Sequence, residues 1–109
     1  MSLRTRSETR HVTAAIAAGT TTVVAAVAGQ IVGIYKLIVT CSATATLQIQ
    51  DTTNAVLSQN FSFGANGGSI TLDIPINNEP WWISGPSAGI QFVTTGGTIN
   101  YDVWFLQAP

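Results

Sequence analysis

His11 is the single histidine of the 109-residue chain, and Cys41 is its single cysteine. A metal site built from imidazoles and thiolates draws on three or four such ligands, so one chain cannot assemble a histidine-based cluster. No cofactor is expected. A Ser-His-Asp arrangement would have to take His11 as its base. That residue stands between a short basic stretch and the first apolar run, where a base is not rigidly held as nucleophilic catalysis requires. The body carboxylates Asp51, Asp73, Glu79 and Asp102 are scattered along the chain, with no adjacent pair suited to glycoside hydrolysis. Asn77-Asn78-Glu79 offers oxygen atoms of the kind calcium takes, but these are also ordinary loop residues. The glycines punctuate turns and do not open a helix onto a phosphate. Asn60-Phe61-Ser62 fits a glycosylation pattern but falls inside an expected strand. The expectation is a protein that is not an enzyme, with no acid–base pair around His11.

Two other groups of residues are suited to binding. Arg4, Arg6 and Arg10 are three of the four basic side chains, while residues 11–109 carry Lys36 against four acids. The chain therefore divides into a flexible basic arm, 1–10, and a nearly uncharged domain, 11–109. Guanidinium groups grip carboxylates through a planar fork, so the arm suits an acidic neighbouring protein. Three arginines are too few for firm nucleic-acid binding, and a net charge of −1 excludes it for the whole molecule. The second group is Pro80-Trp81-Trp82. Adjacent strand residues point to opposite faces, so one tryptophan enters the core and its neighbour stays outside, as an interface anchor or a platform for a sugar ring.

Composition sets the class. Apolar residues are 46% of the chain and charged residues 8%, against about 25% charged in an ordinary soluble domain. Disorder of the body is excluded by its apolar content, and a surface with so few charges is suited to facing other protein. The opening MSLRTRSETRH leads into no leucine-rich run or signal-cleavage pattern. Residues 12–40 carry Lys36 as their only charge, but threonines and glycines cut them into pieces shorter than the roughly twenty residues of a membrane span. They read as strands, and no membrane partner is expected. Cys41 reads as a small buried hydrophobe.

The elements follow from period-2 alternation. Ala45, Leu47 and Ile49 oppose Thr44, Thr46, Gln48 and Gln50; Ile70, Leu72 and Ile74 oppose Ser69, Thr71 and Asp73. Ile99, Tyr101, Val103 and Phe105 oppose Asn100, Asp102, Trp104 and Leu106. Turn signals at 51–54, 64–68, 85–89 and 96–97 separate the runs. Strands are predicted near 11–17, 20–27, 30–41, 44–51, 55–63, 69–74, 81–84, 90–95 and 98–106. This spacing predicts an all-β, single-domain antiparallel β-sandwich, jelly-roll-like. Residues 31–41 break the pattern: Ile31, Tyr35, Leu37, Val39 and Cys41 share one parity, and Val32, Ile34, Lys36 and Ile38 the other. A strand apolar on both faces is covered on both, so Val32 and Ile34, with Trp104 and Leu106, are expected in contact with a second subunit.

The run GTTTVVAAVAG over residues 19–29, the strand 31–40 and the Thr/Gln-rich strand after it resemble small bacteriophage virion proteins. Gly67-Gly68 before a strand, the loop entering Trp81-Trp82 and the Gly96-Gly97 hairpin extend the likeness over roughly residues 18–106. The resemblance implies a β-sandwich that decorates or cements a capsid, often as a homotrimer, on the surface of the virion. Its partners would be copies of itself and the major capsid protein or another virion protein, and it implies no catalytic residues. Partner contacts are expected at Arg4, Arg6, Arg10, Val32, Ile34, Trp81, Trp82, Trp104 and Leu106. The alternative is a tail- or spike-associated module that binds carbohydrate or a receptor through Trp81 or Trp82.

Overall fold

A computed structural model describes residues 9–73 and 79–109. Nine strands follow one another: β1 (Arg10–Ile16), β2 (Gly19–Val24), β3 (Ile31–Cys41), β4 (Ala45–Asp51), β5 (Phe61–Phe63), β6 (Gly68–Leu72), β7 (Trp82–Ile83), β8 (Ile90–Gly96) and β9 (Ile99–Ala108). One sheet runs β1-β9-β3-β6, with β7 also paired to β3, and the other runs β2-β8-β4-β5. Every pairing is antiparallel. Setting β7 aside, first pairs with last (β1 with β9), then β2 with β8, β3 with β6 and β4 with β5. That is a long two-stranded ribbon rolled into two stacked antiparallel sheets, the β-sandwich expected from the alternation. Among the described residues, no helix is long and apolar enough to cross a membrane.

The inward faces are those read from alternation wherever the strand is regular. Leu47 and Ile49 of β4 and Ile99 and Val103 of β9 are fully buried between the sheets. Phe92 of one sheet meets Tyr101 of the other edge-to-face, with centroids 5.1 Å apart. Burying each such side chain contributes about 1.5–3 kcal/mol relative to leaving it in water. Cys41 is buried and free, as expected of a small hydrophobe.

β3 corrects the two-faced reading. Between Ile34 and Lys36 the register against β9 shifts, leaving Tyr35 as the extra residue of a β-bulge. An extra residue reverses parity, so Val32 and Ile34 face the core before it, and Leu37, Val39 and Cys41 face the core after it. Val32 and Ile34 are both 0% exposed. They belong to this chain's own core and are not available to a second subunit. β2 uses the same device: its register shifts between Thr22 and Val24, and both Val23 and Val24 are buried.

The strand predicted over 55–63 shortens to β5 because Asp51 and Ser58 turn the chain back on itself. Ser58 Oγ accepts the Ile49 amide at 2.9 Å, while the Leu57 and Ser58 amides donate to the Ile49 carbonyl. Asp51 is 2% exposed. Its Oδ1 accepts the Thr53 and Ala55 amides and the Thr53 hydroxyl, and its Oδ2 accepts the Gly85 amide at 3.0 Å. Burial pushes this carboxyl's pKa up, but the hydrogen bonds outweigh it, and the group titrates below the usual carboxylate range. The result ties the end of β4 to the loop after β7, one sheet to the other.

Candidate functional site

The two outer faces differ in chemistry. Outside β4 and β8, Gln91 Nε2 donates to Gln50 Oε1 and Asn54 Oδ1 at 2.9 Å, and Gln50 Nε2 donates to Gln48 Oε1. That face is neutral, polar and internally hydrogen-bonded. The outer face of the β1-β9-β3-β6 sheet instead gathers aromatic, charged and apolar side chains, ordered by register.

Cross-strand pairing sets Ala15, Asn100, Thr40 and Ser69 abreast at one end, and Thr13, Asp102, Ile38 and Thr71 in the next row. His11, Trp104 and Lys36 form the third row. Beyond the Tyr35 bulge come Leu106, Gly33 and Ile83, then Ala108 and Ile31. Polarity thus falls along the sheet, from hydroxyls and amides to an apolar end.

In the third row the imidazole of His11 stacks on Trp104, centroids 4.3 Å apart and planes 16° apart. Lys36 Nζ lies 4.9 Å from the centre of the same indole. Each of these side chains also meets a carboxylate: His11 Nε2 is 2.8 Å from Asp102 Oδ1, and Lys36 Nζ is 3.9 Å from Asp73 Oδ2. Hydrogen bonds from His11 and Thr13 hold the Asp102 carboxyl below its usual pKa. Thr9, His11, Tyr35, Lys36, Asp73 and Trp104 enclose an open cavity of about 340 Å³. The expectation that no acid–base pair forms around His11 is corrected here. His11 is the second residue of β1, and backbone pairing to β9 holds it diagonally across from Asp102.

The apolar end is built around β7. Trp81 N donates to the Ile34 carbonyl and Ser84 N to the Val32 carbonyl, each at 2.8 Å, which lays residues 81–84 along β3. Gly33 permits this approach, since a Cβ there would come 3.0 Å from Pro80 Cγ. Trp82 turns toward the core and meets Phe61 edge-to-face at 6.1 Å. Trp81, its neighbour, is 45% exposed, and Ile83 is 46% exposed. One tryptophan is thus exposed and its neighbour half-buried, as anticipated from the sequence, although Trp81 precedes β7 and its ring lies 6.3 Å from that of Trp82. Ile31, Gly33, Tyr35, Pro80, Ile83 and Leu106 line a second, shallower cavity of about 190 Å³ that shares Tyr35 with the first.

Of the expected contact residues, the structure brings Trp104 and Leu106 to this outer face, while Trp81 is exposed just before β7. Trp82 is half-buried against the core, and Val32 and Ile34 lie inside it. Arg10 opens β1 and is not part of a free arm: its guanidinium donates to Gln107 Oε1 at 2.8 Å and covers the Phe105 ring. Arg4 and Arg6 lie outside the described residues, as do Asn77 and Asn78. Among the described residues, no three His, Cys, Asp or Glu side chains are grouped to hold a metal ion. Sequence reasoning missed Ile31, Tyr35 and Ile83. For Ile31 and Tyr35 the signal was a strand apolar in both parities, which a bulge produces as readily as a second covering layer does; Ile83, on β7, carried no such signal.

Compared with known proteins, the chain matches no family model and no curated sequence.

Proposed function

We propose that this chain is a structural protein of a bacteriophage virion, a capsid decoration protein that bridges shell subunits as a homo-oligomer. The observation that carries the reading is the cluster of exposed apolar side chains at one end of one outer sheet face. Ile31, Trp81 and Ile83 are each more than a third exposed, and Ile31 and Ile83 line one cavity with Leu106, Pro80 and Tyr35, on a body with few charges to keep neighbours apart. Scattered surface hydrophobes need no explanation, whereas a contiguous patch of this kind marks a contact, and exposed Trp81, next to Pro80 in the chain, is the type of residue that anchors one. The contact is formed by burial of the Ile31–Trp81–Ile83 patch, with Arg4 and Arg6 reaching an acidic neighbour. In this reading His11 and Asp102 hold the edge strand β1 to β9, and no reaction is catalysed.

Native mass measured in solution, followed by binding to empty phage shells, tests the proposal. The unmodified chain is expected as an oligomer that binds shells, and the Trp81→Ser, Ile83→Ser double variant as a folded monomer that does not. A soluble monomer at micromolar concentration, with no affinity for shells, overturns it.

A further inference from the structure

Beyond that contact, we infer that the cavity between His11, Trp104, Lys36 and Tyr35 is a binding site for a short neutral saccharide. The argument runs from what the lining can and cannot hold. A volume of about 340 Å³ falls at the small end of sites that enclose a small molecule. Its polar groups are of both kinds: hydroxyls from Thr9 and Tyr35, the Lys36 ammonium, the His11 imidazole and the Asp73 carboxylate. The charged groups already have partners, Lys36 with Asp73 and the Asp102 carboxylate with the His11 ring. An anion or a cation would have to compete with the partner in place. A neutral polyol does not, because each hydroxyl both donates and accepts and can bond the outer atoms of either pair. The Arg10 guanidinium is bonded to Gln107, which withholds the fork that favours carboxylates and phosphates.

The indole narrows the class further. His11 stacks on the Trp104 ring and Lys36 lies over it, so the indole is already engaged by side chains of this chain. Planar ligands such as nucleobases take much of their affinity from stacking on an aromatic face. A saccharide needs only convergent hydrogen bonds with some apolar wall, here Tyr35 and the exposed part of Trp104. Backbone pairing fixes the row, since His11, Trp104 and Lys36 lie on three adjacent strands. The site is therefore preorganised, as recognition by a few polar groups requires.

Titration of the ¹⁵N-labelled full chain with the methyl glycosides of glucose, galactose, mannose and N-acetylglucosamine tests the site, read at the three indole N–H resonances. At least one glycoside is expected to move the Trp104 resonance at millimolar concentration and to leave that of Trp81 in place. Tyr35→Ala and Asp73→Asn should each weaken that binding at least about tenfold, with resonance dispersion confirming that both variants fold. The Trp81→Ser, Ile83→Ser variant should bind the glycoside unchanged, which separates this site from the proposed protein contact. The inference is overturned if none of the four glycosides moves Trp104, or if binding survives both Tyr35→Ala and Asp73→Asn. Sodium sulfate displacing Trp104 as far as the glycosides do, or Trp104 buried in a subunit contact of the native oligomer, overturns it equally.

Discussion

Asp51 concentrates more structural consequence than any other side chain outside the apolar core. It is an ionisable group placed almost out of water, and it is tolerated because four donors converge on it: two amides and a hydroxyl on Oδ1, and the Gly85 amide on Oδ2. Asp51→Ala leaves those donors without their acceptor and should lower unfolding free energy by about 2–4 kcal/mol in a denaturant titration. The folded-state pKa of Asp51 is depressed, as is that of Asp102. A depressed carboxyl contributes stability that is present above its unfolded value, near 3.8, and is lost as pH falls through the folded value. The denaturation midpoint should therefore hold steady from neutral pH toward 4 and decline below it. Asp102→Asn should make that decline shallower, since one of the two linked groups no longer titrates.

At the scale of elements, the bulge at Tyr35 decides which face of β3 is inside. Val32→Asp or Ile34→Asp places a carboxylate where exposure is 0%, among the apolar side chains of the core. Each should unfold the chain or yield insoluble protein, a loss of more than about 4 kcal/mol by circular dichroism melts. A folded, soluble monomer from either variant would contradict the assignment of β3. The turn before β6 rests on a similar local fact. Gly67 has φ +74°, and a Cβ there would stand 1.9 Å from the Cys41 carbonyl oxygen. Gly67→Ala combines left-handed backbone with a clash against backbone that cannot rotate away, and should cost more than about 2 kcal/mol in the same melts.

For the whole molecule, the contrast between the two outer faces is the governing feature. One is a neutral network of Gln48, Gln50, Gln91 and Asn54; the other grades from hydroxyls through the His11–Trp104–Lys36 row to exposed Ile31, Trp81 and Ile83. A contact made by the apolar end is driven by burial and should be insensitive to salt. An attachment made through Arg4 and Arg6 is screened once the Debye length falls below about 8 Å. Sedimentation is expected to give the same oligomer at low and high salt, while shell binding weakens with salt and weakens again when residues 1–8 are deleted. An oligomer that dissociates as salt rises would place its contact on charged residues and away from Trp81.

Local periodicity was enough to establish roughly where most strands lie, β5 being much shorter than predicted, and, in regular ones, which way they face. Leu47 and Ile49 alternate with glutamines, and Tyr101 and Val103 alternate with Asp102 and Trp104, because every second side chain of a strand shares a face. Tertiary structure alone decided the rest. The pairing of β1 with β9 joins residues from opposite ends of the chain, so His11 and Asp102, 91 positions apart, become a bonded pair that no local pattern announces. The inward turn of Val32 and Ile34 depends on one unpaired residue in the β3–β9 ladder, and a bulge is a property of two strands in register, invisible in either one alone. Hydrogen-bond pairing between distant strands is the interaction that sequence spacing does not encode, and it is what brings Trp104, Lys36 and Tyr35 around one cavity.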